Sequence, residues 1–301
     1  MPFCEADPWR LQYFEGVDCP PELRIPTEDP DAYCWFPAQR LIYNKLFVAE
    51  SQGLACAPHG VTPPHFPVFS KPIFNLRGMG VGSCVLPDLD AYRRHLTPGH
   101  FWMRLLTGEH ISSDAAVERG RVTWWRHCRG LPAGEGTFDH WVVEADARVE
   151  LEAGLAGWVA RHLGGYTGML NLETLGGSII DVHLRFADQW PDLYGGAGWL
   201  EAVVGLYRHG RWEFTEGTRR AGYSVALFGP HGREYRHPPA PLLAEVRGMP
   251  QVSSVQITFH ADRAAASHAM PPGGFRLALV NCLELAAGRA ALAPLARFFG
   301  V

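Results

Sequence analysis

Apolar and polar positions along this chain follow two periods, one typical of helices and one typical of strands. Ile42 and Leu46 share a helical face and Gly53 ends the pattern, so a helix is predicted over 38–53. An apolar stripe between acidic residues predicts an amphipathic helix over 147–162. The same reasoning predicts helices over 88–95 and 198–207 and, in the tail 276–299, a strand followed by a helix.

Apolar runs bounded by glycine and proline predict strands between these helices. They are expected over residues 67–72, 99–106, 108–117, 121–127, 223–228 and 252–259. Two more strands, 166–173 and 178–186, flank Gly176-Gly177, which indicates a hairpin because glycine adopts the backbone angles of a tight turn. Residues 1–36, 57–64 and 238–241 show no period and are predicted to be irregular segments or loops.

Composition narrows the class of protein. Of 301 residues, 47% are hydrophobic and 19% are charged, as in ordinary globular proteins. The net charge of −4 gives no overall attraction to nucleic acid or anionic lipid, so neither is expected as a partner. No apolar run approaches the roughly 18 residues of a membrane span, and the N-terminus has no hydrophobic signal core. Seven cysteines without a C-x-x-C pair fit a reducing compartment, so a cytoplasmic location is expected.

Lysine is rare in this chain. Of its 27 lysines and arginines, only Lys45 and Lys71 are lysines. Lys71 ends an apolar run, and a loop with Gly78, Gly80 and Gly82 follows. Glycines let backbone N–H groups approach a polyphosphate, and a lysine ammonium binds phosphate as a point charge. The G-x-G-x-G spacing is neither the Walker pattern nor the dinucleotide fingerprint. The alternative is a structural glycine hairpin beside two surface lysines.

A row of polar side chains follows the second strand of the predicted hairpin. Asp181, His183 and Arg185 are expected on one face of it, and Asn171 and Glu173 of the first strand can lie on the same face. The alternating apolar residues are expected to face the core: Ile180, Val182 and Leu184. Carboxylates and neutral ligands beside an arginine suit a divalent cation that bridges phosphates. The alternative is a polar sheet face exposed to solvent.

A further candidate segment follows the apolar strand 101–106. Leu105 and Leu106 end its apolar part, and Glu109 and His110 come just beyond it. Free backbone groups of an apolar segment can bind the edge of an adenine, and polar residues beyond them can bind a ribose. The segment is therefore a candidate nucleotide contact, with a solvated strand edge as the alternative.

In this order the segments resemble the ATP-grasp superfamily from about Arg40 to Pro191, half of the chain. The family pattern is a helix with a phosphate-binding basic residue, a strand reading Pro-Val-x-x-Lys-Pro and a glycine loop. A hinge strand ending in Gly-x-Glu and a metal-binding hairpin, whose second strand reads Glu-x-Asn-x-Arg, complete it. The matching parts of this chain are, in order, Lys45, 67–72, 78–83, 101–108 and 181–185.

The resemblance implies an α+β, ATP-grasp-like fold in which two α+β subdomains sandwich a nucleotide. Too little chain precedes Lys45 for the family's usual N-terminal domain, so a truncated one is expected. The implied parts are a short N-terminal segment, a lid subdomain, a core with the metal hairpin, and a C-terminal part that completes the core and the acceptor pocket. Their boundaries are expected at residues 1–65, 66–107, 108–195 and 196–301.

The resemblance also implies ATP and Mg²⁺ as cofactors, with a small-molecule carboxylate and an amine as substrates that are joined through an acyl phosphate. A homodimer is compatible with this interpretation. Lys45, Lys71 and the glycine loop would contact phosphates, and Lys71 and Arg185 would act in catalysis. The metal would be held by side chains of the hairpin: Asp181, His183, and Glu173 or Asn171.

Three substitutions separate this chain from the family pattern. His110 stands where a ribose-binding glutamate is expected, and Glu109 is the alternative. Asp181 and His183 replace the metal-binding glutamate and asparagine; aspartate is shorter, and histidine supplies nitrogen where Mg²⁺ prefers oxygen. The alternatives to a ligase are therefore a non-catalytic nucleotide-binding pseudoenzyme and an ATP-dependent phosphotransferase.

Overall fold

The computed structural model describes residues 3–76 and 78–301. The strands are β1 Phe3–Cys4, β2 Ile25–Pro26, β3 Cys56–Pro58, β4 Val68–Pro72, β5 Cys84–Leu86, β6 His100–Arg104, β7 His110–Glu118, β8 Arg121–Gly134, β9 Thr137–Val143, β10 Gly168–Leu175, β11 Ser178–His183, β12 Gly222–Gly229, β13 Val252–Ile257 and β14 Phe275–Cys282. The α-helices are α1 Asp29–Trp35, α2 Lys45–Glu50, α3 Leu89–Arg94, α4 Val149–His162, α5 Ala197–His209, α6 Ala240–Arg247 and α7 Leu285–Phe299.

The larger sheet runs in the order β11-β10-β7-β8-β9-β12-β14-β13, and each neighbouring pair is antiparallel. Helices cover both of its faces near β10. Met169 packs into a cluster with α5, and its neighbour Leu170 packs into another with α4, because successive residues of a strand face opposite sides. Helix α7 packs against β12 and β14 near the other end.

A smaller sheet, in the order β3-β6-β4-β5, carries Lys71 on β4. Its edge strand β3 lies before residue 66, so the sheet begins upstream of the predicted 66–107 segment. Residues 57–64, predicted as a loop, therefore start within a strand. Before Lys45 the described residues form only short elements.

Three further local predictions need correction. The helix predicted over 38–53 is a 3₁₀ turn at Arg40–Tyr43 followed by α2, because the Asn44 side chain accepts a hydrogen bond from the Phe47 N–H at 3.0 Å and caps a new helix. Helix α1 lies in the segment predicted to be irregular. The loop predicted over 238–241 ends inside α6, which begins at Ala240 and whose first turn tolerates Pro241.

The mixed architecture confirms the α+β prediction. The predicted strands around Lys71, the Gly176-Gly177 hairpin and the long helix α4 are present within a few residues of their expected ends. Strand β9, which the sequence did not predict, joins β8 to β12 and thus links the hairpin half of the sheet to its C-terminal half. Within the described ranges, no helix combines the length and the apolar character needed to cross a membrane.

Candidate functional site

A cavity of about 640 Å³ opens between the small sheet and the larger one. Lys71 on β4 and Gly78 and Gly80 of the following loop line one wall. The hairpin β10–β11 and His110 on β7 contribute the floor, and β12, β14 and residues 258–271 contribute a further wall. The antiparallel order of the larger sheet brings these distant segments together.

Lys71 is buried in the wall of this cavity. Its side chain donates a hydrogen bond from Nζ to the Ile180 carbonyl oxygen at 2.7 Å. Burial, and then the nearby charge of Lys45, lower the pKa of Lys71 to about 8. No carboxylate in the described part of the chain forms an ion pair with Lys71, although the nearby charges of Asp181 and Glu173 partly oppose this lowering of its pKa.

A β-bulge exposes the carbonyl that Lys71 contacts. The pairing of β11 with β10 shifts register after Glu173, which leaves Ile180 as an extra residue on β11. Ile180 consequently lines the cavity, and the prediction that it faces the core is wrong. Val182 and Leu184, beyond the bulge, are buried in the core as predicted.

The carboxylates of the hairpin contact basic side chains. Lys45 forms an ion pair with Asp181, and His110 Nε2 lies 3.1 Å from Glu173 Oε2. Burial by itself raises the pKa of Glu173, but the His110 hydrogen bond and the charges of His110, His183 and Lys45 lower it to about 2. Glu173 is therefore a carboxylate at neutral pH.

Asp29, a buried residue at the start of α1, holds the other end of this polar row. It lies 2.9 Å from His183 Nδ1 and accepts hydrogen bonds from Arg185 Nη2 at 3.1 Å and from the Tyr43 hydroxyl at 3.2 Å. Burial opposes ionisation of Asp29, yet the charges of Arg185 and His183 hold its pKa well below the usual range. Burial lowers the pKa of His183, but the charges of Asp29 and Asp181 outweigh it and raise that pKa.

His183 Nε2 lies near the two carboxylates of the hairpin. It is buried, has no hydrogen-bond partner among the described residues, and lies 3.9 Å from Glu173 Oε1 and 3.8 Å from Asp181 Oδ2. A carboxylate commonly holds the other ring nitrogen of a metal-binding histidine, which is the position of Asp29 here. Imidazole nitrogen and carboxylate oxygen are both donors to divalent cations, but the atoms of these three side chains do not all lie within 4.8 Å of one another; among the described residues, Glu5, Asp7 and Glu28 meet that spacing. A cation at His183 Nε2 would have to displace Lys45 from Asp181.

Asn171, the fourth predicted metal ligand, lines the cavity, but its side-chain amide forms hydrogen bonds with the neighbouring strand β7. Its amide nitrogen donates hydrogen bonds to Ser112 Oγ at 2.9 Å and to Asp114 Oδ1 at 2.7 Å. Asp114 also accepts from the Ala187 N–H and the Tyr194 hydroxyl, and burial raises its pKa to about 6. Asn171 therefore joins β10 to β7 beneath the site.

Several predicted nucleotide contacts do not line this cavity: Gly82, Leu105, Leu106 and Glu109. Glu109 instead forms ion pairs at the surface, with Arg148 at 2.9 Å and Arg129 at 3.7 Å. His110 does line the cavity. Of the two residues considered for the ribose position, His110 is therefore the one that lines the cavity.

A charged cluster at another part of the cavity was not predictable from any local sequence pattern. Arg10 Nη1 lies within 3.9 Å of carboxylate oxygens from Glu5, Asp7, Glu28 and Asp188. Burial, and then the charge of Asp188, raise the pKa of Glu5 to about 8 and that of Glu28 to about 7. The single guanidinium thus does not compensate all four carboxylates.

No family model matches the sequence, and no curated protein matches it. Solved structures do match. The L-amino acid ligase from Bacillus licheniformis is 14% identical with a TM-score of 0.55, over 86% of this chain and 71% of that chain. The carboxyaminoimidazole ribonucleotide synthase from Aspergillus clavatus, complexed with ATP, is 11% identical with a TM-score of 0.60, over 87% and 74%.

The N5-carboxyaminoimidazole ribonucleotide synthetase from Thermus thermophilus is similar over more of the chain. It is 15% identical with a TM-score of 0.58, over 97% of this chain and 84% of that chain. These three proteins are ATP-grasp proteins. At such identities the likeness shows the fold, so the chain has the ATP-grasp fold that the sequence resemblance predicted.

Proposed function

We propose that this chain is an ATP-dependent ligase, which activates a carboxylate as an acyl phosphate for attack by an amine. The observation that carries the proposal is a single cavity lined by Lys45, Lys71, the glycine loop and the carboxylates of the hairpin. Phosphoryl transfer depends mainly on positioning and on charge, and this cavity supplies both. The ATP-grasp fold shared with structurally characterised ligases supports the same reaction class.

In this proposal the two lysines contact the phosphates of ATP. Lys71 is pre-positioned because its Nζ is held at the Ile180 carbonyl and its charge has no carboxylate partner in the described residues. Gly78 and Gly80 line the same wall and would turn backbone N–H groups toward the phosphates. His110 would contact the ribose. Residues 66–107 would act as a lid, and residues 196–301 would complete the acceptor pocket.

Asp181, Glu173 and His183 would hold the divalent cation, Mg²⁺ in the family. Bound there, the cation would neutralise charge on the phosphates. Asp29 keeps His183 oriented, since its carboxylate lies 2.9 Å from Nδ1 and so leaves Nε2 directed at the two acids.

The proposed chemistry has two steps. A carboxylate oxygen of the substrate attacks the γ-phosphorus of ATP, the bond to the β-phosphate oxygen breaks, and ADP leaves. An amine nitrogen then attacks the acyl carbon, the carbon–oxygen bond to phosphate breaks, and the amine gives up a proton. Arg185 is fixed by Asp29 beside the cavity and would stabilise the oxyanion of the second step.

Hydroxylamine trapping tests this proposal, because hydroxylamine converts an acyl phosphate into a stable hydroxamate. The protein is incubated with Mg·ATP or Mn·ATP, hydroxylamine and a panel of carboxylates, and hydroxamate and ADP are measured. Equal amounts of hydroxamate and ADP with one acceptor would support the ligase. ADP with a phosphorylated product that hydroxylamine does not attack would show a phosphotransferase instead.

One observation favours a second candidate, a nucleotide-binding protein without turnover. Lys45 occupies the Asp181 carboxylate that a metal would need. Thermal stability with and without nucleotide distinguishes the two, since a ligand that binds only the native state raises the melting temperature. A shift with ATP alone, independent of divalent cation and without ADP formation, would indicate the second candidate.

A further inference from the structure

Arg276, on β14, is the arginine of the cavity that is partly shielded from solvent and yet has no side-chain hydrogen bond or ion pair among the described residues. Arg185 is paired with Asp29 and Arg10 with four carboxylates, whereas Arg263 is exposed to solvent. The Arg276 guanidinium donates no hydrogen bond to the described residues, and its Nε is buried. Burial, and then the charge of Arg10, lower the pKa of Arg276 to about 10. A cation held in this way indicates that an anion belongs beside it.

A second β-bulge aims Arg276 into the cavity. Phe228 of β12 pairs with Arg276, while Leu227 pairs with Ala278, so Leu277 is an extra residue on β14. Without the bulge, strict alternation would turn Arg276 toward the other face of the sheet. Leu277 is instead fully buried in the core, and Arg276 faces the cavity next to Phe228.

Three aromatic side chains of the cavity wall are only half-buried, and one of them, Phe228, is paired with Arg276. Phe138, Trp141 and Phe228 all line the cavity and retain partial exposure. The rings of Phe138 and Trp141 lie 4.4 Å apart, which gives a continuous apolar surface. An apolar body attached to an anion would cover this surface while the anion reaches Arg276.

A series of ion pairs separates Arg276 from the lysines that would bind phosphate. The pairs are, in order from the lysines, Lys45 with Asp181, His183 and Arg185 with Asp29, and Arg10 with Asp188. Arg276 lies at the far end of this series, where the charges of Arg10, Asp188 and Asp7 affect its pKa. An anion bound by Arg276 would therefore lie at the opposite end of this series from a γ-phosphate held by Lys71.

Resting on the proposed function, we infer that Arg276 binds a carboxylate of the acceptor substrate that is not the one activated. The acceptor thus carries two anionic groups, one phosphorylated near the lysines and one retained at Arg276, with an apolar body against the aromatic wall. This defines the class of substrate as an apolar or aromatic molecule with two carboxylates.

The first test measures binding without nucleotide, so that it does not depend on the ligase activity. The probes are 3-phenylpropionate and 3-phenylpropanamide, which share their shape and differ in charge. NMR titration should show that the protein binds the carboxylate at least about tenfold more tightly than the amide, the range of one charge-assisted hydrogen bond. Arg276→Met should abolish this preference and leave amide affinity unchanged, while Arg276→Lys should retain part of it.

Arg236→Met, at an exposed arginine, is the control and should keep the full preference. Retention of the preference in Arg276→Met, or equal affinity for the two probes in the parent protein, would overturn the inference. The second test repeats hydroxylamine trapping with 3-phenylpropionate. If the parent protein forms hydroxamate from this monocarboxylate and Arg276→Met does not, Arg276 holds the carboxylate that reacts. That result would contradict the inference. A carboxylate preference that requires Arg276, with no ADP formed from any acceptor, would uphold the Arg276 site and reject the ligase.

Discussion

Replacing Lys71 with methionine should separate the stability of the protein from its ability to bind nucleotide. Methionine keeps much of the length of the lysine side chain and removes its charge. The cavity wall is therefore retained, whereas the phosphate contact is lost. Lys71 suits this test because its ammonium contacts a neutral carbonyl and no carboxylate in the described ranges.

The expected change in stability follows from the surroundings of Lys71. Its pKa falls from the ordinary value of 10.5 to about 8, a difference that makes the charged form cost the fold about 3 kcal/mol at neutral pH. Methionine removes that cost but leaves the Ile180 carbonyl without its donor, which costs about 1–3 kcal/mol. The ligand-free variant should therefore be as stable as the parent or up to about 2 kcal/mol more stable.

The effect on nucleotide binding should have the opposite sign. A hydrogen bond from a charged group contributes about 1.5–3 kcal/mol, so affinity for ATP should fall at least about tenfold. Chemical denaturation gives the stability of the ligand-free protein, and calorimetric titration gives the affinity. Arg104→Met removes an exposed charge on the neighbouring strand β6 and should change neither.

Two results would refute this reasoning in different ways. Unchanged ATP affinity in Lys71→Met would remove Lys71 from the nucleotide site. A ligand-free variant that is less stable than the parent by several kcal/mol would show that the charge of Lys71 does not lower the free energy of unfolding. The expected cost of burying that charge would then be wrong.

Three further predictions concern the hairpin and two titrating groups. Gly176→Ala should lower the stability measured by urea denaturation more than Gly177→Ala does. Both glycines have positive φ, but only a Cβ at residue 176 would collide with the Thr107 carbonyl. Equal losses of stability in the two variants would contradict this. Glu5, whose pKa is raised to about 8 by burial and then by Asp188, binds a proton more readily in the fold, so stability should fall as pH rises from about 4.5 to 8. Glu5→Gln should weaken this decline in melting temperature and be the more stable form at pH 9; an unchanged pH profile would contradict it. At pH 8 bound ATP should raise the pKa of Lys71, so that the protein takes up a proton on binding. Calorimetric titration in buffers of different ionisation enthalpy should detect this proton uptake, and Lys71→Met should abolish it.

The parts of the site that were predictable from sequence depend on local patterns. Strand β4 and the hairpin follow from alternation and from Gly176-Gly177, and these two elements carry Lys71, Asp181 and His183 into one cavity. Alternation fixes the face of a strand whatever its partners are, which is why the polar row of β11 was readable in advance.

The missed residues act through contacts with distant parts of the chain. Asp29 lies 154 positions from His183, and Arg10 lies 178 positions from Asp188. An aspartate in the first turn of a helix also has an ordinary explanation in the helix dipole, which gives no reason to suspect a second role. The bulges at Ile180 and Leu277 depend on register with a neighbouring strand, so no local pattern revealed them.

The two ends of the cavity differ from the rest of it in their charged side chains. Most charged side chains of the cavity have a partner of opposite charge within the protein, whereas, among the described residues, one basic side chain at each end does not. Asp181, Glu173, Asp29 and Asp188 each have a basic partner within the protein, and Arg10 and Arg185 have acidic ones. Lys71, which is buried, and Arg276, which is partly exposed, lack such a partner in the described residues, and both have lowered pKa values. Because a charge shielded from water without a partner is costly to the fold, we propose that each of these groups is paired by an anion that arrives with the ligand. The nucleotide phosphates suit Lys71, and the retained carboxylate of the acceptor suits Arg276.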